Sequence, residues 1–329
     1  MPSAELAIFV VVLLALLFDY INGFHDTANA VATSVSTRAM TPSFAIGLAA
    51  VMNFIGALSG TAVAKTIGSD IVMPAAVTQH VLFAALIAAI FWNLLTWYYG
   101  IPSSSSHALI GGLVGAAVAS QGFGVLKTAG VIKVVAFLVL SPLIGLTVGY
   151  LVMTALWWLM RRQTPSHINR VFLKLQILAS TAGAFSHGSN DAQKSMGIIT
   201  MALFGAGLIP KFEVPFWVTL ACAIAMALGT AVGGWKIIRT MGGRIVKLEP
   251  INGFAADLSS ASVIYGSTLL GMPVSTTHVV SSCIMGVGSA KRLLAVRWAV
   301  AKQIVTAWVL TIPSAAAVAA LTLFFVNLF

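Results

Sequence analysis

The chain has 329 residues, of which 59% are hydrophobic and only 8% charged, and a net charge of +10 at neutral pH. Soluble domains carry about a quarter charged residues, so the composition excludes a soluble protein and points to a polytopic membrane protein. The basic excess does not indicate nucleic acid. Lys and Arg cluster in short loops between apolar runs, the positive-inside pattern of membrane topology, and membrane lipid is the partner this charge implies.

In chain order, runs long enough to cross about 30 Å of hydrocarbon occupy 4–18 continuing to 36, 43–64, 81–99, 134–160, 172–208, 215–235, 252–270 and 298–327. Helix is the expected spanning element, because lipid leaves no water to satisfy backbone polar groups; the short alternating segments of a β-barrel are missing. The opening "MPSAELAIFV" lacks a basic region and carries Glu5, so it reads as a first span rather than a cleaved signal peptide. Cys222 and Cys283 lie in apolar surroundings, which argues against a disulfide or a thiolate metal site.

Four polar stretches interrupt the apolar runs. The first, "NGFHDTANAVAT" at 22–33, carries Asn22, His25, Asp26 and Asn29. The second, "GIPSSSSHALIGG" at 100–112, carries Ser104, Ser105, Ser106 and His107. After a basic loop containing Arg161, Arg162, Arg170 and Lys174, "HGSNDAQKSMGI" at 187–198 brings His187, Ser189, Asn190, Asp191 and Lys194. The fourth, "GMPVSTTHVVSSC" at 271–283, brings Ser275, Thr276, Thr277 and His278. A weaker echo, "PINGFAADLSS" at 250–260, adds Asn252 and Asp257.

The third stretch repeats the first, and the fourth repeats the second. Gly23 falls on Gly188, Asp26 on Asp191 and Asn29 on Lys194, while Pro102 falls on Pro273 and His107 on His278; the offsets are 165 and 171 residues. The chain therefore reads as a duplication: a first repeat at 1–160, a basic cytoplasmic linker at 161–174 and a second repeat at 175–329. With the linker inside, the charge pattern gives each half an odd number of crossings and puts both termini outside. An odd-parity unit is inverted relative to its copy, the architecture of secondary transporters. The expected fold is an all-α polytopic membrane protein of two inverted-topology repeats with broken helices and helical hairpins, in roughly 10–12 membrane segments.

The breaks are expected at Gly23, Gly188, Pro102 and Pro273, beside the polar residues. Residues 103–106 read as the N-cap and first turn of a half-helix. Its free N–H groups, positive dipole end, hydroxyls and imidazole suit a tetrahedral oxyanion. An uncompensated Asp at mid-bilayer costs roughly 2.5–3.5 kcal/mol, so Asp26 and Asp191 should face a cavity, a partner or an ion. Carboxylate and amide oxygens suit a hard alkali cation; alternatively the Asp and His residues carry protons. Lys194 is read either as half of an internal ion pair or as facing the anion.

Together these motifs resemble the inorganic phosphate transporter (PiT) family. "GFHDTANAVAT" and "HGSNDAQKSMG" look like its paired signature, and "GIPSSSSH" and "GMPVSTTH" like its two hairpin tips, with the similarity running from residue 18 to the C-terminus. The resemblance implies a symporter, not an enzyme, that takes up inorganic phosphate across the plasma membrane on a proton or sodium gradient by alternating access. It implies no cofactor besides the coupling cation, and a homodimer. Carried over, Ser104, Ser105, Ser106, Ser275, Thr276 and Thr277 bind phosphate, and the residues of the motifs themselves add His107, His278 and Lys194 as candidate substrate ligands. The family places the cation or proton at Asp26, Asn29, Asn190 and Asp191, a sodium site if the ion is sodium, and the motif residues themselves add Asn22, His25 and Asp257 as candidate coupling-ion residues. The first signature departs from the usual Asn-Asp by reading His25-Asp26. Alternatives are a sulfate permease of the same fold, a divalent metal transporter on the Asp, Asn and His cluster, a passive anion channel, and an intramembrane hydrolase using Ser105 or Ser106 with His107.

Overall fold

The computed structural model describes residues 2–328, and among them there is no strand beyond one isolated bridge between Val72 and Leu126. The first half runs α1 (Pro2–Ser36), α2 (Pro42–Ala57), α3 (Ala62–Asp70), α4 (Gln79–Tyr99), α5 (Ser105–Gln121) and α6 (Thr128–Met160). The second runs α7 (Pro165–Gly205), α8 (Phe216–Val232), α9 (Trp235–Arg239) with a π-helical turn at Thr240–Arg244, α10 (Pro250–Leu269), α11 (Thr276–Lys291) and α12 (Trp298–Val326). The same succession thus occurs twice: a long helix, a bent pair, a hairpin ending in a short helix, and a long helix with an internal proline, Pro142 in α6 and Pro313 in α12. The loop between α6 and α7 is only 161–164, so residues 165–174 of the expected linker already belong to α7.

Among the described residues four helices, α1, α4, α6 and α12, are long and apolar enough to cross a membrane, and up to six spans result if each bent pair counts as one. The bends are 65° between α2 and α3 and 62° between α8 and the α9 segment. The α7 and α10 helices have the length but carry the polar motifs, while α5 and α11, of 17 and 16 residues, are half-helices. The expected segments are therefore present as helical pieces. Exposed apolar side chains such as Leu143, Leu151, Val309, Leu321 and Phe324 line the outer faces of α6 and α12, where a lipid surface satisfies them at no cost.

Two apolar cores flank the middle of the molecule. One gathers α1 before residue 22, α7 after residue 191, α4 and α5; the other gathers α1 after residue 27, α7 before residue 185, α10 and α11. The α1 and α7 helices thus pass through both cores in opposite order, which makes them antiparallel. Between the cores lies the polar middle of each, residues 22–29 and 186–191.

Both helices run unbroken through Gly23 and Gly188, contrary to expectation. The glycines serve close packing instead. A Cβ on Gly23 would stand 2.5 Å from the Met226 carbonyl oxygen, and one on Gly188 2.2 Å from that of Asn53. They let α1 meet α8 and α7 meet α2 backbone to backbone. The breaks at Pro102 and Pro273 are as expected: 101–104 and 272–275 leave helix after Gly100 and Gly271, whose φ values of 67° and 66° close α4 and α10 in the left-handed region.

Candidate functional site

The two hairpin tips have the same local chemistry. Ser104 caps α5, its hydroxyl accepting from the backbone N–H of His107 at 3.1 Å, and Ser275 caps α11 by accepting from that of His278 at 3.2 Å. Ser104 Oγ also contacts Nδ1 of His107 at 2.7 Å. The caps aim both helix starts, with their free N–H groups and positive dipole ends, into the middle of the protein. There the tips meet. Ser106 donates to the carbonyl of Val274 at 3.0 Å, and the rings of His107 and His278 lie 4.4 Å apart. His278 also stacks on Trp308 of α12 at 3.9 Å. Every tip residue from Ser103 to His107 and from Ser275 to His278 is buried.

The tips rest on the two acids. Ser105 Oγ donates to Asp26 Oδ2 at 3.0 Å, and Thr277 Oγ1 to Asp26 Oδ1 at 3.4 Å. Thr276 Oγ1 donates to Asp191 Oδ2 at 3.1 Å. Asn29 spans the second tip, donating to Thr276 and Thr277 at 3.3 and 3.0 Å, while its own carbonyl oxygen finds no partner. Asp26, His187 and Asp191 each offer one ligand atom within 4.8 Å of the others, all buried. Two carboxylates this close, out of water, are relieved by positive charge beside them or by a proton. His25 Nδ1 lies 2.5 Å from Asp26, His187 Nε2 3.5 Å from Asp191, and Lys194 Nζ 2.5 Å from Asp191.

Supporting contacts repeat between the halves. His25 holds the first hairpin through Thr96 at 3.1 Å, and Ser103 adds a bond to the same hydroxyl at 2.8 Å. Asn190 holds the second, donating to Thr268 at 2.9 Å and Met272 O at 3.3 Å and accepting from Val274 N at 3.5 Å. The signature residue preceding each Asp therefore orients a tip.

Not every expected residue joins this centre. Lys194 does not reach the tips; its ammonium is engaged by Asp191. Asn22 is buried with neither end of its amide hydrogen-bonded. Asp257 forms a separate station, accepting from Thr33 at 2.5 Å and Ser180 at 2.6 Å; Thr33 lies two turns beyond Asp26, about 10 Å along α1. Asn252 caps α10 in a reciprocal arrangement with Glu249, so its role is structural. Conversely, Asp19 is fully buried, two turns before Asp26, with both carboxylate oxygens unpartnered and Ser195 and Cys222 beside it. A lone Asp in "LLFDYI" was the only trace of it. Thr96, Thr268 and Trp308 were also unforeseen, since single residues inside apolar runs carry no motif.

Comparison with known proteins bears on this arrangement. The chain matches the Phosphate transporter family over residues 22–168 and 160–319. It is 51% identical to a "Probable low-affinity inorganic phosphate transporter" of Bacillus subtilis (strain 168), over 97% of each chain. It is 49% identical to a protein of the same description from Rhizobium meliloti (strain 1021), over 95% of each. Among solved structures it superposes on "The sodium-dependent phosphate transporter" with a TM-score of 0.88 and 26% identity, covering 98% of this chain and 99% of that one. With hairpin tips, paired acids and full-length similarity in agreement, this multi-pass membrane protein belongs to the phosphate transporter family.

Proposed function

We propose that the protein is a symporter that imports inorganic phosphate across the plasma membrane, coupled to a proton or sodium gradient, by alternating access between two inverted repeats. The observation that carries this reading is the bonding of tip hydroxyls to buried acids: Ser105 and Thr277 on Asp26, Thr276 on Asp191. While the carboxylates are charged they hold the donors an oxyanion needs. A cation or proton taken up at an acid weakens those bonds and releases the hydroxyls, with the half-helix N-termini, to the phosphate. The anion in turn stabilises the added positive charge, so each ligand raises the other's affinity and the fluxes are coupled.

The antiparallel course of α1 and α7 through the two cores supports inversion of the halves, and an inverted pair can rock about a central site to expose it on either side. Monohydrogen phosphate keeps one O–H that can donate to a carboxylate, whereas sulfate has none; contact with Asp26 or Asp191 therefore favours phosphate over the sulfate alternative. The homodimer and the external termini belong to the same reading. Size-exclusion chromatography with light scattering and terminal-tag accessibility in sealed cells test them.

The decisive test is uptake of labelled phosphate by proteoliposomes under proton and sodium gradients imposed separately. Accumulation above equilibrium that collapses with one gradient, and outcompetes labelled sulfate, is expected. Mere equilibration under both gradients contradicts coupled transport and favours the channel reading.

A further inference from the structure

The two half-sites share a duplicated plan but differ in how the acid is neutralised. At the first, Asp26 is joined by Asn29, whose carbonyl oxygen is buried and has no hydrogen-bond partner. A hard oxygen left bare one turn from a carboxylate, in a site closed to water, is an arrangement that a cation completes. At the second, the residue in Asn29's register is Lys194. Its Nζ lies 2.5 Å from Asp191 Oδ1, both side chains are fully buried, and the other Asp191 oxygen takes the Thr276 hydroxyl at 3.1 Å. The ammonium also sits in the field of Asp19, the unpartnered carboxylate next to Ser195. Within this centre Lys194 is the one lysine or arginine that faces the acids, beside His25 and His187.

We propose that the Lys194 ammonium is a built-in counter-cation that occupies the metal position of the Asp191 half-site, so that the chain takes its mobile coupling cation at Asp26 alone. This deepens the symporter reading, on which it rests, by fixing how many cation positions are open. An alkali ion and an ammonium have the same charge and compete for the same carboxylate oxygen; a tethered one is at very high effective concentration and excludes the free one. Replacing Lys194 by the residue of the first half should open a second position.

The test is equilibrium binding of labelled sodium to the full-length chain in detergent with phosphate present. Lys194→Asn is expected to bind about one more sodium per chain than the unsubstituted protein. The double variant Asp191→Asn/Lys194→Asn should lose that gain, and Asp191→Asn alone should leave the original count unchanged. An equal count in folded Lys194→Asn and the unsubstituted chain overturns the assignment. So does the loss of one sodium in Asp191→Asn, because it places a metal on Asp191 already. Should Lys194→Asn fail to fold, Lys194→Gln provides the same carboxamide on a longer stem, and the Asp191→Asn arm decides independently. Failure of gradient-driven uptake by the unsubstituted chain would instead overturn the symporter reading and leave the binding counts standing.

Discussion

A carboxylate in the middle of a bilayer protein is costly unless its charge is matched, and Asp26 shows how many groups converge on one. It accepts from hydroxyls of both tips, Ser105 and Thr277, and faces His25, so it joins the two halves of the chain through one side chain. Asp26→Asn keeps the shape but removes the charge that the coupling cation of the proposed mechanism neutralises. Gradient-driven accumulation of phosphate should fall to the equilibrium level while insertion and folding persist; full accumulation by this variant in proteoliposomes contradicts a coupling role. The motif around Asp26 was legible in the sequence because it was written twice, and the same repetition exposed Asn29 and Lys194 as its inequivalent members. The fates of the side chains were less legible. Sequence left Lys194 poised between ion pair and anion ligand, and only the 2.5 Å contact with Asp191 decides between them. Asp19 was unreadable for a simpler reason: its significance comes from Ser195, some distance away in the chain and adjacent only after α1 and α7 pack.

Among the elements, the half-helices were the easiest to foresee. Pro102 and Pro273 end regular structure, and the Ser and Thr residues that follow are natural N-caps. The long helices were misjudged at Gly23 and Gly188, because a glycine that breaks a helix and a glycine that lets two helices touch look alike until the neighbour is known. The 65° and 62° bends after α2 and α8 were missed as well, since Gly60, Gly233 and Gly234 sit in runs that read as single spans. The contact role makes a sharp prediction. Gly23→Ala drives a Cβ to 2.5 Å from backbone at Met226 and should destabilise by about 1–3 kcal/mol. Gly47→Ala, where nothing lies within 4 Å, should be neutral or stabilise by up to about 1 kcal/mol from helix propensity. Thermal unfolding of both variants in detergent checks this, and equal midpoints would remove the glycine from the α1–α8 interface.

At the scale of the whole molecule, two apolar cores hold a polar slab between them, each closed by one hairpin and both threaded by α1 and α7 in opposite directions. The duplication and its order of elements were visible as matching offsets, whereas the meeting of the tips was not, since no local signal reports contact between residues far apart in the chain. The proposed alternating access requires the tips to part. A disulfide introduced by Ser106→Cys and Val274→Cys, at the contact where Ser106 now donates at 3.0 Å, should arrest uptake under oxidation and release it under a reductant. The native thiols, Cys222 and Cys283, are both buried and do not compete. Undiminished uptake by the cross-linked protein would mean that the tips move as one body.

The proposed mechanism depends most on the hydroxyls of the two mirrored tips being the groups that grip the anion. The concentration dependence of labelled phosphate uptake by Ser105→Ala/Thr276→Ala, compared with the unsubstituted chain, addresses this directly. Losing two donors to a charged ligand, at about 1.5–3 kcal/mol each, should raise the half-saturating phosphate concentration at least about a hundred-fold, with the folded protein still in the membrane. A half-saturating concentration equal to that of the unsubstituted chain would show that phosphate binds elsewhere.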